Sequence, residues 1–147
     1  MATIFDALRY QIGQYSAVAS LVANRIRPLR LATRDDVSKG GAILIDPLKE
    51  TNEIDLSSTG GLETLTLRFR CVASGIDAAY AIARALYANG QAPAAGLNGF
   101  RGTVQGVLIF DVVLKEKEFD FELFENGSDE GYYVVDWHSQ VDYAEQV

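Results

Sequence analysis

An α+β domain, with a mostly antiparallel β-sheet, two helices packed on one face and a protruding β-hairpin or ribbon, is the architecture this sequence predicts. Three observations carry the prediction. Segments alternate as helix, strands, helix, strands along the chain, which is the order expected of an α+β layer structure. Residues 61–90 change from a two-residue to a helical apolar period within one continuous stretch. Residues 102–143 then read almost entirely as strand, folded back at one turn signal, Asn126-Gly127-Ser128-Asp129. At 147 residues the chain fits a single domain spanning residues 1–147, large enough to bury roughly 70 % of its unfolded surface.

Taken in order, Thr3 is placed to cap a first helix running to about Val22. Phe5, Leu8, Ile12, Tyr15, Ala19 and Val22 recur at alternating spacings of three and four, an apolar stripe on one helical face. Asn24 ends it. Residues 25–31 read as a short extended piece, which Pro28 demotes to an edge strand or a loop. Residues 31–40 are polar and read as a connection. Ala42-Ile43-Leu44-Ile45 forms a compact apolar strand ended by Asp46-Pro47. The polar insertion of residues 49–61 is either a flexible loop or the tip of a protruding hairpin.

In the organising stretch, Leu65, Leu67, Phe69 and Cys71 point one way and Thr64, Thr66, Arg68 and Arg70 the other, the pattern of a half-buried strand. Ser74 stands at a helix N-cap position with Asp77 three residues on. Ile76, Tyr80, Ala83, Leu86 and Tyr87 make the apolar stripe, and Asn89-Gly90 supplies a left-handed stop. Residues 91–99 are small and turn-rich. The strand-like run of residues 102–124 puts Leu108, Phe110, Val112 and Leu114 on one face and Val107, Ile109 and Val113 on the other. It exceeds a usual strand of about five or six residues, so it either breaks near residues 116–118 or leaves the body as an arm. The last strand carries Tyr133, Val135, Trp137, Val141 and Tyr143 on one face, and Tyr132, Val134, Asp136, His138, Gln140 and Asp142 on the other.

Composition narrows the function. The net charge of −7 argues against a sequence-independent grip on nucleic acid, which needs clustered Lys and Arg. No apolar run reaches the roughly 20 residues that span a bilayer, and the opening residues do not read as a signal peptide. A single cysteine leaves no internal disulfide and fits a reducing compartment. His138 has no neighbouring nucleophile or ligand set in the sequence, and Cys71 lies on an apolar face without a basic neighbour; both read as structural. The acids of residues 116–130 lack a calcium-loop pattern. Gly99, Gly102 and Gly106 match neither a dinucleotide nor a P-loop motif. The sequence therefore points away from an enzyme, a cofactor or a bound metal.

Charge is unevenly spread. Residues 1–34 hold Arg9, Arg25, Arg27, Arg30 and Arg34 against Asp6, while residues 115–130 hold seven acids against Lys115 and Lys117. Phe119, Phe121, Leu123 and Phe124 make an apolar edge alternating with Glu118, Asp120 and Glu122, and such a patch marks a protein contact. Joined to the basic N-terminal third, it suggests a head-to-tail subunit interface in which this ribbon meets Arg25, Arg27 and Arg30 of the next copy, a contact that can close into a ring. A solvated charged face with ordinary core aromatics is the competing reading.

Residues 19–28 (ASLVANRIRP), the strand and helix of residues 65–86 with Arg68-Phe69-Arg70-Cys71 and Ala78-Ala79, Leu97-Asn98-Gly99-Phe100-Arg101-Gly102, and Gly131-Tyr132-Tyr133 leading to Val141 and Tyr143 together bring a family into view. The chain resembles the tail-completion, or tail-terminator, proteins of long-tailed bacteriophages and gene-transfer particles. It departs from them in a longer acidic ribbon, residues 115–130, and in the polar insertion of residues 49–61. The resemblance implies an α+β structural virion protein, without catalytic residues, assembled in the host cytoplasm. It implies a ring, typically a hexamer, at the head-proximal end of the tail tube, ending tube polymerisation and joining the tail to the head connector. Its partners would be itself, the tail tube protein and a connector or stopper protein, with no membrane. DNA would pass through the lumen without specific binding, which an acidic subunit favours. Thr51, Asn52, Glu53, Ser57, Ser58 and Thr59 are the candidate tube or connector contact. Another neck component, an adaptor or stopper, and a small α+β enzyme are the alternative classes.

Overall fold

The computed structural model describes residues 2–52, 62–87, 96–124 and 129–145. Ten elements follow one another: α1 (Ile4–Gly13), α2 (Ser16–Val22), β1 (Ile26–Arg27), α3 (Arg34–Ser38), β2 (Ala42–Asn52), β3 (Glu63–Ala73), α4 (Ile76–Tyr87), β4 (Gly102–Val104), β5 (Val107–Leu123) and β6 (Gly131–Glu145). The strands form one six-stranded sheet in the order β1-β2-β3-β6-β5-β4. Among the described residues only the short β1–β2 pair is parallel. The predicted α+β architecture holds.

Both faces of the sheet's body are covered. On one, α1, α2 and α4 bury Leu8, Ile12, Val18, Ile82 and Leu86 against Ile43, Phe69, Cys71, Val135 and Val141. On the other, Ala32 and Val37, from α3 and the chain leading into it, pack on Leu44, Val72, Tyr132 and Val134. The strand pattern of residues 64–71 is therefore read correctly for its apolar face, whereas on the other face Arg70 is buried and Arg68 half-buried, with only Thr66 fully exposed. The polar stretch of residues 31–40 holds a helical turn: the Thr33 hydroxyl accepts the Asp36 N–H at 3.1 Å, and the Asp36 carboxylate accepts the Thr33 N–H at 3.2 Å. That reciprocal pair is a capping box.

Thr3 caps α1 as expected, again with a reciprocal partner in Asp6. The predicted single helix bends, however. Tyr15 adopts an extended backbone and starts α2, and its hydroxyl donates to the Gly96 carbonyl at 3.2 Å. The bend keeps Val18 and Val22 aimed at the core that Leu8 and Ile12 fill. The second predicted helix begins at Ile76, one residue later than a cap at Ser74 places it. Its buried side is Ala79, Ile82, Ala83, Ala85 and Leu86, so Ile76 and Tyr87 are exposed and Tyr80 only half-buried. The contact face is thus made of three alanines with Ile82 and Leu86, displaced around the helix from the bulkier stripe the sequence shows. The proposed stop at Asn89-Gly90 lies outside the described residues.

The β2 strand runs through Asp46-Pro47 instead of ending there. Pro47 lies beyond the short β1 partner, beside a register shift at Leu48, and an edge with a bulge is where a missing N–H costs least. The run of residues 102–124 is likewise two strands. Gln105 and Gly106 both take positive φ, 49° and 84°, closing a tight β4–β5 hairpin of the kind that needs two left-handed residues. Two bulges then re-phase β5, at Phe110 and at Lys115. Val107, Ile109, Val112 and Leu114 all face the helices as a result, while Phe110 and Val113 are exposed. The strand does not break after Lys115; it continues, paired with β6, as a ribbon to Leu123.

Candidate functional site

The second β5 bulge decides the character of the ribbon. Past Lys115 the odd-numbered residues take over the helix-side face, continuing the row formed by Trp137 and Val135 of β6, which pair with Lys117 and Phe119. Near the body this row is covered. Trp137 donates its indole N–H to the Ala83 carbonyl at 3.0 Å and stacks on Tyr87 at 5.1 Å; Phe119 lies against Tyr80 at 6.1 Å. Tyr80 covers only one side of Phe119, which is 58 % exposed, and farther out the row is bare: Phe121, Leu123 and Tyr133 are 47 %, 47 % and 38 % exposed. Phe121 and Tyr133 meet edge to face at 5.0 Å, which holds the patch rigid without hiding it. Phe124 turns the other way, half-buried on Tyr132 with the Arg34 guanidinium 4.8 Å from its ring centre.

Behind the patch, on the opposite face, the strands carry a row of charge. Asp46 accepts from Arg68 at 2.6 Å, and Arg70 donates to Asp136 at 2.9 Å, to the Arg30 carbonyl at 2.7 Å and to Glu122. Arg68 also stands 3.7 Å from Asp136. Arg70 is 1 % exposed. Burial works against its charge, yet Glu122 and Asp136 outweigh burial and hold the guanidinium above its ordinary pKa. Burial pushes the Asp136 carboxyl up, with Arg70 and then Arg68 pulling it back. We read the pair as ionised, because each guanidinium nitrogen of Arg70 donates to an oxygen and Asp136 faces two cations.

This row fixes where the predicted interface residues sit. Of the ribbon acids, Glu122 is tied to Arg70, and Glu118 lies 3.0 Å from His138 Nε2, off the N–H direction. Asp120 accepts only the N–H of Phe121 among the described residues, at 2.8 Å. Arg25 spans the loop after α3, donating to the carbonyls of Gly41 at 2.7 Å and Lys39 at 2.7 Å, with a third bond to Leu21 at 3.3 Å. Arg27 pairs with Asp36 at 3.1 Å. Arg30 is exposed and lends its carbonyl to Arg70. Thr51 and Asn52 end β2; Glu53, Ser57, Ser58 and Thr59 lie outside the described residues, as do residues 125–128 of the ribbon turn.

A solved structure shares this architecture over nearly its whole length. The chain superposes on a chain of the "Virion of native gene transfer agent (GTA) particle" with a TM-score of 0.64, covering 96 % of this chain and 94 % of that one at 12 % identity. The two share a fold. No protein-family model matches the sequence, and no curated protein matches it.

Sequence reading missed one feature beside the ribbon. A groove of about 780 Å³ opens between α4 and β5, with Tyr80, Arg84, Tyr87, Lys115, Lys117 and Trp137 on its walls. Lys117 lies 4.5 Å and 5.1 Å from the ring centres of Tyr80 and Trp137. Tyr80 and Arg84 are four apart on a helix, a detectable spacing, but nothing in the sequence announces the bulge that turns Lys117 toward them. Cys71 is fully buried and its thiol is pushed far up by burial, then by the charge of Asp136, so it carries no thiolate at neutral pH. His138 faces Glu118. Among the described residues no group of three or more His, Cys, Asp or Glu could hold a metal, and no helix is long and apolar enough to cross a membrane.

Proposed function

We propose that this protein is a structural virion subunit, a tail terminator that forms a ring at the head-proximal end of a tail tube. The observation that carries the proposal is the bare aromatic face of the ribbon, Phe119, Phe121, Leu123 and Tyr133, on an otherwise well-packed domain. A rigid apolar surface of this kind is held in reserve for another protein. The whole-length likeness to a gene transfer agent virion chain supports a particle as its setting, and the sequence resemblance to tail-completion proteins supports the terminator role within it.

In this account Phe119, Phe121 and Leu123 supply one side of the subunit interface, with Glu118, Asp120, Glu122 and Phe124 on the ribbon's opposite face, where Glu122 and Phe124 are held by Arg70 and Tyr132. Arg25, Arg27 and Arg30 sit toward the opposite edge of the sheet, where β1 and β2 lie; Arg25 and Arg27 are engaged within the chain, so in this account they border the interface and do not seat the ribbon. The β2–β3 hairpin, with Thr51 and Asn52 at its described end, reaches toward the tube or the connector. The ring, a hexamer by resemblance, stops tube growth and leaves an acidic lumen through which DNA slides.

The test is tube growth. Tail tube protein from the same particle is polymerised with and without substoichiometric terminator, and tube lengths are read by electron microscopy. Shorter tubes bearing a ring at one end are expected. An unchanged length distribution with bare ends would overturn the role.

A further inference from the structure

The groove between α4 and β5 is unbalanced in charge. Arg84, Lys115 and Lys117 line it, and none has a carboxylate within ion-pair distance among the described residues. Lys115 donates to Gln140 at 2.9 Å and Lys117 to the Tyr80 hydroxyl at 3.3 Å, both neutral acceptors. Three cations beside the rings of Tyr80 and Trp137 make a receptor for something both aromatic and acidic. The same chain carries such a segment. Phe119 and Phe121 are exposed, Asp120 between them has no cation within range among the described residues, and neither does Glu116.

We propose that the groove receives the ribbon of a second copy of this chain, its Phe121 face turned to Tyr80 and the exposed Tyr87, and Asp120, on the ribbon's other face, meeting the groove cations Arg84 and Lys115. The proposal rests on the reading of the protein as a self-assembling virion subunit and assigns the receiving surface. A chain's own Phe119 already lies against Tyr80 at the groove's edge, but its Asp120 has no cation in reach among the described residues, so the charges of groove and ribbon are matched only between molecules. Groove and ribbon are different surfaces, so the contact is heterologous and propagates head to tail, closing into a ring where the rotation allows. Opposed charge fixes register and orientation, while the desolvated aromatics hold the contact.

Trp137 is the only tryptophan and stands in the groove wall, so its emission reports occupancy directly. Three full-length proteins are compared by native mass and Trp137 emission over a concentration series: wild type, R84E/K115E and D120K. Arg84, Lys115 and Asp120 are exposed, and unchanged melting temperatures confirm folding. Wild type is expected to assemble with a change in emission. Each variant alone assembles about tenfold or more weakly, because like charges now face one another. An equimolar mixture of the two variants reassembles, since each reversed groove finds a reversed ribbon. If wild type assembles but R84E/K115E assembles equally well with no emission change, the groove assignment falls and the ring stands. If wild type remains a monomer at every concentration and on tube protein, the assembly reading falls and takes this proposal with it.

Discussion

Replacing Arg70 by Met tests the charged row behind the ribbon. The substitution removes three bonds at once: to Asp136 at 2.9 Å, to Glu122, and to the Arg30 carbonyl at 2.7 Å. Asp136 is then left buried with only Arg68 near it, at 3.7 Å. Breaking a buried pair from one side costs about 3–5 kcal/mol, a large share of the roughly 5–15 kcal/mol that holds a domain folded. For a chain of this length that corresponds to a melting temperature lower by about 6–20 °C. Much of the loss comes from the stranded carboxylate, so R70M/D136L is expected to recover most of it, Glu122 being exposed enough to stay hydrated. Unfolding in urea, followed by Trp137 fluorescence, measures both variants. The pH dependence is a further signature. Burial already raises the Asp136 pKa, and losing Arg70 raises it more. The R70M penalty is then full above the raised folded pKa and fades as pH falls toward the unfolded value of about 4. A single variant within 1 kcal/mol of wild type, or a double variant whose loss is the sum of two losses, would refute the reasoning.

Two further outcomes are expected. Gly41 enters β2 at φ +115°, and a Cβ there would sit 2.4 Å from the Val72 carbonyl oxygen and 2.8 Å from the Ile82 side chain; G41A should lose at least about 2 kcal/mol in urea unfolding, whereas G13A, in open space, should not. Burial raises the pKa of Cys71, Tyr15, Tyr132 and Tyr143 alike. The folded state keeps these protons while the unfolded chain releases them, so stability is full below about pH 8.5 and falls as pH rises through 9 to 11. A melting temperature flat across that window would contradict it.

Much of the fold was legible because its signals are local. Thr3 and Asp6 form their box within one turn, and Leu65, Leu67, Phe69 and Cys71 bury as their alternation says. The losses came where tertiary geometry overrides period. Bulges at Phe110 and Lys115 exchanged the faces of β5, which no composition rule detects. The contact face of α4 is displaced from its bulkier stripe, and a capping box hid inside the polar run of residues 31–40. Arg68 and Arg70 looked solvated because the segment that covers them lies some forty residues away in sequence; the Arg30 carbonyl that bonds Arg70 is such a partner. In the candidate site, Phe119, Phe121 and Leu123 were found by alternation with acids, while the groove needed the folded α4–β5 pair.

The account stands on the ribbon face being an assembly surface and not a structural one. Native mass of wild type beside F119S/F121S, with melting temperatures for both, tests that claim most directly. The exposed rings contribute little to the monomer's core, so melting should be nearly unchanged while the ring falls to monomers. A variant that closes the same ring as wild type, or one that melts far lower because the rings hold the domain together, would contradict it.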